Sequence, residues 1–152
     1  MTRSIGRTVT DIREGVTEAG RGKSVYLQAG TLVLTNSATV GIPKILGVGA
    51  CIHDGFLALL EIDISLDRDF LYGLFEMMRD RLLTLAPEGT QKNLNTKIVK
   101  AIEIPIPPIE LQREFACRVE AVERLKVSQR AHLVELDALF ASLQYRAFRG
   151  EL

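Results

Sequence analysis

Residues 104–152 read IPIPPIELQREFACRVEAVERLKVSQRAHLVELDALFASLQYRAFRGEL, and this stretch decides how the chain is organised. Pro107 and Pro108 exclude a helix interior, but Pro108 suits a first helical turn, where a missing N–H costs nothing. Glu110 and Glu114 follow and place negative charge at a helix N-terminus, where it is favourable. No Pro or Gly interrupts the run until Gly150, which is placed to end it, with Arg146 and Arg149 in the last turn. The spacing predicts one helix of about 40 residues, roughly 60 Å long. A helix of that length overhangs a domain of this size and needs a partner surface.

The seam of the helix can be written out. With Gln112 as position a, the a positions are Gln112, Val119, Lys126, Leu133, Phe140 and Ala147. The d positions are Phe115, Val122, Gln129, Leu136 and Leu143. This is a heptad pattern with a polar break at Lys126 and Gln129. Leu125 and Leu139 at g widen the stripe, as in a helix that packs on more than one neighbour. A helix folded back on its own domain and an inter-helix coiled coil both satisfy the pattern.

Upstream, the pattern is mostly of short strands. A strand is expected around Arg7 to Asp11, followed by a loop. Val25, Leu27, Leu32 and Leu34 fit strands, with Gln28-Ala29-Gly30 as a turn between them. Gly41 and Pro43 break the run, and residues 45–48 and 50–52 read as further short strands. His53-Asp54-Gly55 is a turn, and FLALLEIDI at 56–64 reads as a strand pair or one long strand. Asp67 is a good N-cap for an amphipathic helix reaching about Leu85, with Phe70, Leu71, Leu74, Phe75, Met78 and Leu82 on its apolar face. Asn95 or Thr96 caps a short helical turn through Val99. AIEIPI at 101–106 alternates apolar residues and reads as a last strand, its prolines marking an edge or an exit. The predicted class is α+β: a small β-rich domain over 1–106 with one internal amphipathic helix, then a long C-terminal coiled-coil helix over 107–152.

The chain has 152 residues, 47% of them hydrophobic, which suits one domain or one domain with an appendage. Its formal net charge is zero, so no global charge announces a nucleic-acid partner. The charges are nevertheless segregated. Arg3, Arg7, Arg13, Arg21, Lys23 and Lys44 outweigh Asp11, Glu14 and Glu18 in the first segment, and acidic residues dominate from Asp54 to Asp80. Lys92, Lys97 and Lys100 outweigh Glu88 in a later basic segment. A basic face results if the first and last of these lie together. No signal peptide and no apolar run of membrane-spanning length is present. Cys51 and Cys117 have no CxxC spacing and no histidine pair, so neither zinc nor a disulfide framework is indicated. A reducing cytoplasm is the expected compartment.

No catalytic constellation stands out. Gly47-Val48-Gly49 lacks the third glycine and the following helix of a dinucleotide fingerprint, and there is no phosphate-binding loop motif. His53-Asp54 could form an acid–base pair, but that dipeptide in a Gly-terminated turn is more often structural. Asp67 and Asp69 are better explained as a helix start. The chain is expected to bind, with no metal or cofactor of its own, and to leave chemistry to a partner.

Several runs together carry a resemblance. They are residues 89–95 (GTQKNLN), Ile98, and residues 102–113 (IEIPIPPIELQR), with residues 142–152 (SLQYRAFRGEL) at the far end. Residues 30–41 (GTLVLTNSATVG) and 69–72 (DFLY) add to them. This combination resembles the DNA specificity (S) subunit of type I restriction-modification systems. There a target-recognition domain ends in a strand, a PLPP-LEEQ-like motif follows, and a long helix starts that closes on a GEL-like ending. The resemblance runs from about Val25 onward. A full-length member carries two recognition domains and two long helices, whereas this chain has one of each and a short N-terminal part. It therefore resembles a half-subunit, a C-terminal fragment or the product of a truncated reading frame.

The resemblance implies a non-catalytic module that binds one half of a bipartite double-stranded DNA site. It implies a homodimer formed through the helix, using Phe115, Val119, Val122, Leu133, Leu136, Phe140 and Leu143. It also implies docking of the type I methyltransferase (modification) subunit, so that the chain serves DNA methylation and restriction. Two polar segments are the candidates for DNA contact. The first is Thr35, Asn36, Ser37, Thr39 and Lys44; the second is Gln91, Lys92, Asn93, Asn95 and Lys97. Amide side chains can read adenine edges, and lysines meet phosphate or guanine. Arg3, Arg7, Arg21 and Lys23 are candidate phosphate contacts. Ordinary surface loops with capping side chains would look similar. An assembly protein that dimerises without reading DNA is the alternative.

Overall fold

A computed structural model of the chain describes residues 6–12, 15–36, 39–86 and 93–151. In chain order its elements are β1 (Thr8–Val9), α1 (Glu18–Arg21), β2 (Val25–Leu27), β3 (Leu32–Thr35), β4 (Pro43–Leu46), β5 (Ala50–Ile52) and β6 (Phe56–Leu59). Helices α2 (Arg68–Met77), α3 (Arg79–Leu85), α4 (Thr96–Lys100) and α5 (Ile109–Phe148) follow. The class is α+β with a long C-terminal helix. Two compact units result, Met1–Arg113 and Glu114–Leu152.

The first unit is built around β3, whose LVL run is apolar without a break. β4 and β6 flank it antiparallel, and β1 adds to β4 in parallel, giving the order β1-β4-β3-β6. Successive strand side chains face opposite ways. Leu32 and Leu34 accordingly join one core cluster with Val40, Ile45, Leu71, Tyr72, Leu74, Phe75, Met78, Leu82 and Leu94. Val33 joins Leu27 and Leu46 in a second cluster. A strand buried on both faces has no use for polar alternation, which is why β3 reads as continuously apolar. β2 and β5 form a separate antiparallel ribbon. Pro43 opens β4 rather than breaking the chain there. It faces Leu34 beyond the last residue paired to β1, where no ladder bond calls for its missing N–H.

Helix α2 starts where the sequence places it. The Asp67 carboxylate accepts from the N–H groups of Asp69 and Phe70, both at 2.9 Å. Its apolar face buries Leu71, Tyr72, Leu74 and Phe75 against β3 and β4. The expected single helix to Leu85 is interrupted at Met78, whose ψ opens to 3°, and resumes as α3. Asn95 caps α4, accepting from the Ile98 N–H at 3.0 Å.

Three expectations are corrected. The long strand over 56–64 stops at Leu59, because Glu61 takes a positive φ of 51° and Asp63 turns the chain by accepting from the Ser65 N–H at 2.8 Å. The Ser65 side chain, and after it that N–H bond, hold the exposed Asp63 carboxyl below its ordinary value. Residues 101–106 form no strand, and Ala101 instead closes α4 in the αR conformation. Pro105 and Pro107 remove two donors facing the same edge, so the alternation encodes only packing of Ile102 and Ile104 on the core. The loop expected after β1 contains the short helix α1, whose Thr17 cap accepts from the Gly20 N–H at 3.2 Å.

The start of α5 also belongs to the first unit. The Pro108 carbonyl accepts from the N–H groups of Leu111 (3.0 Å) and Gln112 (3.2 Å). Gln112, placed on the heptad seam by periodicity, is fully buried instead. The second unit is the rest of α5 and its close. Gly150 has a φ of 71°, the Glu151 N–H bonds to the Arg146 carbonyl (3.0 Å), and the Gly150 N–H bonds to the Ala147 carbonyl (3.1 Å). This is a Schellman stop, and a Cβ at Gly150 would oppose its left-handed conformation.

Candidate nucleic-acid interface

The first polar segment begins at the end of β3 and returns into β4. The Thr35 hydroxyl accepts from the Ile42 N–H (2.9 Å) and donates to the Thr39 carbonyl. The Thr35 N–H donates to the Ile42 carbonyl (3.0 Å), and the Gly41 N–H to the Thr35 carbonyl (2.8 Å). Gly41 has a φ of 77°, and a Cβ there would meet Leu82 at 3.0 Å. Thr35 therefore closes its own loop, and Gly41 lets that loop pack on α3.

Asn36 links three pieces of chain. Its N–H donates to the Gly55 carbonyl at 2.9 Å, and its side-chain amide donates to the Asp54 carbonyl. Its own carbonyl accepts from the Leu94 N–H at 2.9 Å. That last bond brings the second polar segment against the first, and Leu94 is buried in the core beside it. The loop after β3 and the approach to α4, the two segments nominated as a candidate interface, are thus joined at Asn36 and Leu94.

The side chains fall into two groups. Thr39, Asn93 and Lys97 are exposed. Asn95 is exposed, but its carbonyl oxygen is engaged as the α4 cap. Lys44 sits on β4, half-buried, and its ammonium donates to the Gly6 carbonyl. Burial lowers its pKa, an effect opposed by the nearby Glu76 carboxylate. Ser37, Gln91 and Lys92 lie outside the described residues, as does Arg3.

The other cations are distributed differently. Arg7 donates to Asp69 and lies 4.7 Å over the Tyr72 ring. Arg21 lies 4.6 Å over the Tyr26 ring, and Lys23 is exposed. His53 serves its turn: its Nδ1 accepts from the Gly55 N–H at 2.9 Å, and its ring meets Phe56 edge-on at 5.1 Å. Cys51 and Cys117 are free thiols. Among the described residues, no helix is long and apolar enough to cross a membrane.

On α5, Phe115, Val122, Leu133, Leu136, Phe140 and Leu143 are exposed and Val119 is half-buried. Ion pairs Glu114–Arg118, Glu120–Arg124 and Glu123–Lys126 run along the same helix. Gln112 was the polar residue that periodicity misplaced. The only local sign was an amide one turn after Pro-Pro, which a heptad count absorbs without remark.

The type I restriction modification DNA specificity domain profile matches residues 8–135. A chain from a structure of the type I R-M system, solved for its complex assembly and conformational transition, is 26% identical. The alignment covers 84% of this chain and 32% of that one, with a TM-score of 0.65. The HsdS subunit from Thermoanaerobacter tengcongensis is 25% identical over 84% of this chain and 31% of its own, with a TM-score of 0.58. The type-I restriction-modification S subunit from M. genitalium shares the fold at 18% identity, covering 64% of this chain and 26% of its own, with a TM-score of 0.53. The present chain thus spans at most 32% of the length of these solved chains.

Proposed function

We propose that this chain, which belongs to the type I restriction modification DNA specificity domain family, binds one half of a bipartite DNA site and leaves chemistry to partner subunits. Residues 1–106 act as the target-recognition domain and residues 107–152 as the spacer and dimerisation helix. The observation that carries the reading is the Asn36–Leu94 bond, which unites the two polar segments on one domain. Thr39, Asn93 and Lys97 are the described side chains best placed to meet a duplex, with Ser37, Gln91 and Lys92 in the same two segments. Thr35, Asn36, Asn95 and Lys44 shape the surface that presents them.

The helix supplies reach. Its 40 residues amount to roughly 60 Å, nearly two turns of duplex. A rigid spacer fixes the separation of two half-sites better than a flexible linker would. A second copy, paired as a coiled coil along Phe115, Val119, Val122, Leu133, Leu136, Phe140 and Leu143, supplies the second half-site. The wider face through Leu125 and Leu139 docks a type I methyltransferase subunit in the cytoplasm.

Duplex binding tests the reading. Affinity should depend on sequence and fall steeply with salt, by a log–log slope of about −0.9 per phosphate contacted. Charged replacements at Leu133, Leu136 and Phe140 together should abolish self-association in sedimentation; a variant that stays dimeric removes the seam. The exposed apolar stripe on α5 supports a second reading, assembly without DNA recognition. That reading predicts a stable dimer, and capture of a methyltransferase subunit, with no duplex binding at any salt.

A further inference from the structure

Gln112 stands out on the first unit as a polar side chain with none of its surface exposed. Its amide is fully matched. Oε1 accepts from the Asp67 N–H at 2.8 Å, and Nε2 donates to the Ser65 carbonyl at 2.8 Å and the Pro107 carbonyl at 2.7 Å. One donor and two acceptors converge on the site, so only an amide in this orientation satisfies all three. A flipped amide would set N–H against N–H and oxygen against two carbonyls.

The groups it grips are themselves fixed. Asp67 caps α2 with its side chain while its N–H is held by Gln112. Ser65 lies in the turn closed by Asp63. Pro107 belongs to the proline-stiffened entry to α5, where Pro108 accepts the first helical bonds. A helix start would otherwise fray, since its first N–H groups have no intrahelical partner. Here the first turn is tied to two residues of one stretch, Asp67 and Ser65, which precede Gln112 by 45 and 47 residues.

We infer that Gln112 is the positioning residue that locks the first turn of α5 to the recognition domain, so that the helix starts from a fixed base and not from a swivel. The inference rests on the proposed function in one respect: a locked base matters most if the helix measures the distance between half-sites. Periodicity assigns Gln112 to a helix–helix seam, and its buried hydrogen bonds assign it to the domain.

The test uses the full chain with Gln112→Met and Gln112→Glu. In Gln112→Met, amide hydrogen exchange over residues 109–113 and at Asp67 should quicken by about tenfold or more, while β3 amides stay as protected as in the wild type. In Gln112→Glu the ionised carboxylate faces two carbonyls, and its protonated form can still donate to one. Its folded-state pKa is therefore raised, and protection of the first turn should be retained at low pH and lost as pH rises through that value. Wild-type protection of the first turn in both variants, at every pH, overturns the inference. Should Gln112→Met fail to fold, the pH-dependent loss in Gln112→Glu decides alone.

A second readout separates positioning from mere stability. Duplexes carrying two half-sites are compared with the intervening spacer lengthened or shortened by one base pair. The wild type should prefer one spacing by about tenfold, and Gln112→Met should reduce that preference to about twofold while still binding the best duplex. A variant that keeps the full preference overturns the inference. If the wild type binds no duplex selectively, the proposed function fails, and hydrogen exchange then judges the locked base independently.

Discussion

The loop after β3 and the approach to α4 are both polar, and they use their polar atoms in opposite ways. Thr35, Asn36 and Lys44 turn hydroxyl, amide and ammonium inward, to Thr39, Asp54 and Gly6. Asn93 and Lys97 are exposed, and Asn95 alone of that group is engaged, as a cap. The difference follows from position. A chain leaving a doubly buried strand must satisfy its backbone groups at once, and the nearest side chains do so. A chain entering a short surface helix needs one cap and leaves the rest to solvent. The contrast predicts that substitutions at Thr35, Asn36 and Lys44 act on stability, and those at Asn93 and Lys97 on binding.

Thr35→Val is the sharpest way to break that contrast. It keeps the shape but strips the hydroxyl that the Ile42 N–H needs. Leaving that group unpaired should cost about 1–3 kcal/mol, seen as a lowered midpoint in urea, with duplex affinity per folded molecule unchanged. A variant of wild-type stability with altered sequence preference would make Thr35 a reading residue. Asn95→Ala should cost about 1 kcal/mol through the lost cap, and because α4 carries Lys97 it should weaken duplex binding as well. Lys97→Ala should leave stability within about 0.5 kcal/mol. It should reduce the salt slope by about one phosphate contact, roughly uniformly across sequences. An unchanged slope would remove Lys97 from the interface.

What the sequence made legible divides along the same line. Asp67 and Asn95 announce α2 and α4 because caps act within three residues. Pro108 and Gly150 mark both ends of α5 for the same reason. β3 is readable from its apolar run. The alternation at 101–106 misleads because pairing needs a partner edge, and Pro105 and Pro107 deny one. Gln112 misleads more deeply: two of its three partners lie 45 and 47 residues away, and no local pattern distinguishes a solvated polar side chain from a satisfied buried amide. The two polar segments could be nominated from composition, but the inward turn of Thr35 and Asn36 could not. Hydroxyls and amides suit base edges and strand ends equally.

Lys44 gives the smallest effect and the cleanest sign. Burial lowers its folded-state pKa below the ordinary lysine value, and Glu76 only partly opposes this. Between the lowered value and the ordinary one, the unfolded chain holds a proton that the folded chain has released. Stability therefore rises with pH across that window. Lys44→Met should remove this part of the alkaline rise in thermal midpoint. Glu76→Gln should enlarge it, because the opposing attraction is gone and the folded-state pKa falls further. Both shifts should be confined to alkaline pH, below about 10.4. If Lys44→Met left the pH profile untouched and instead lowered the salt slope of duplex binding, Lys44 would act outward, and the contrast between the two segments would fail at that residue.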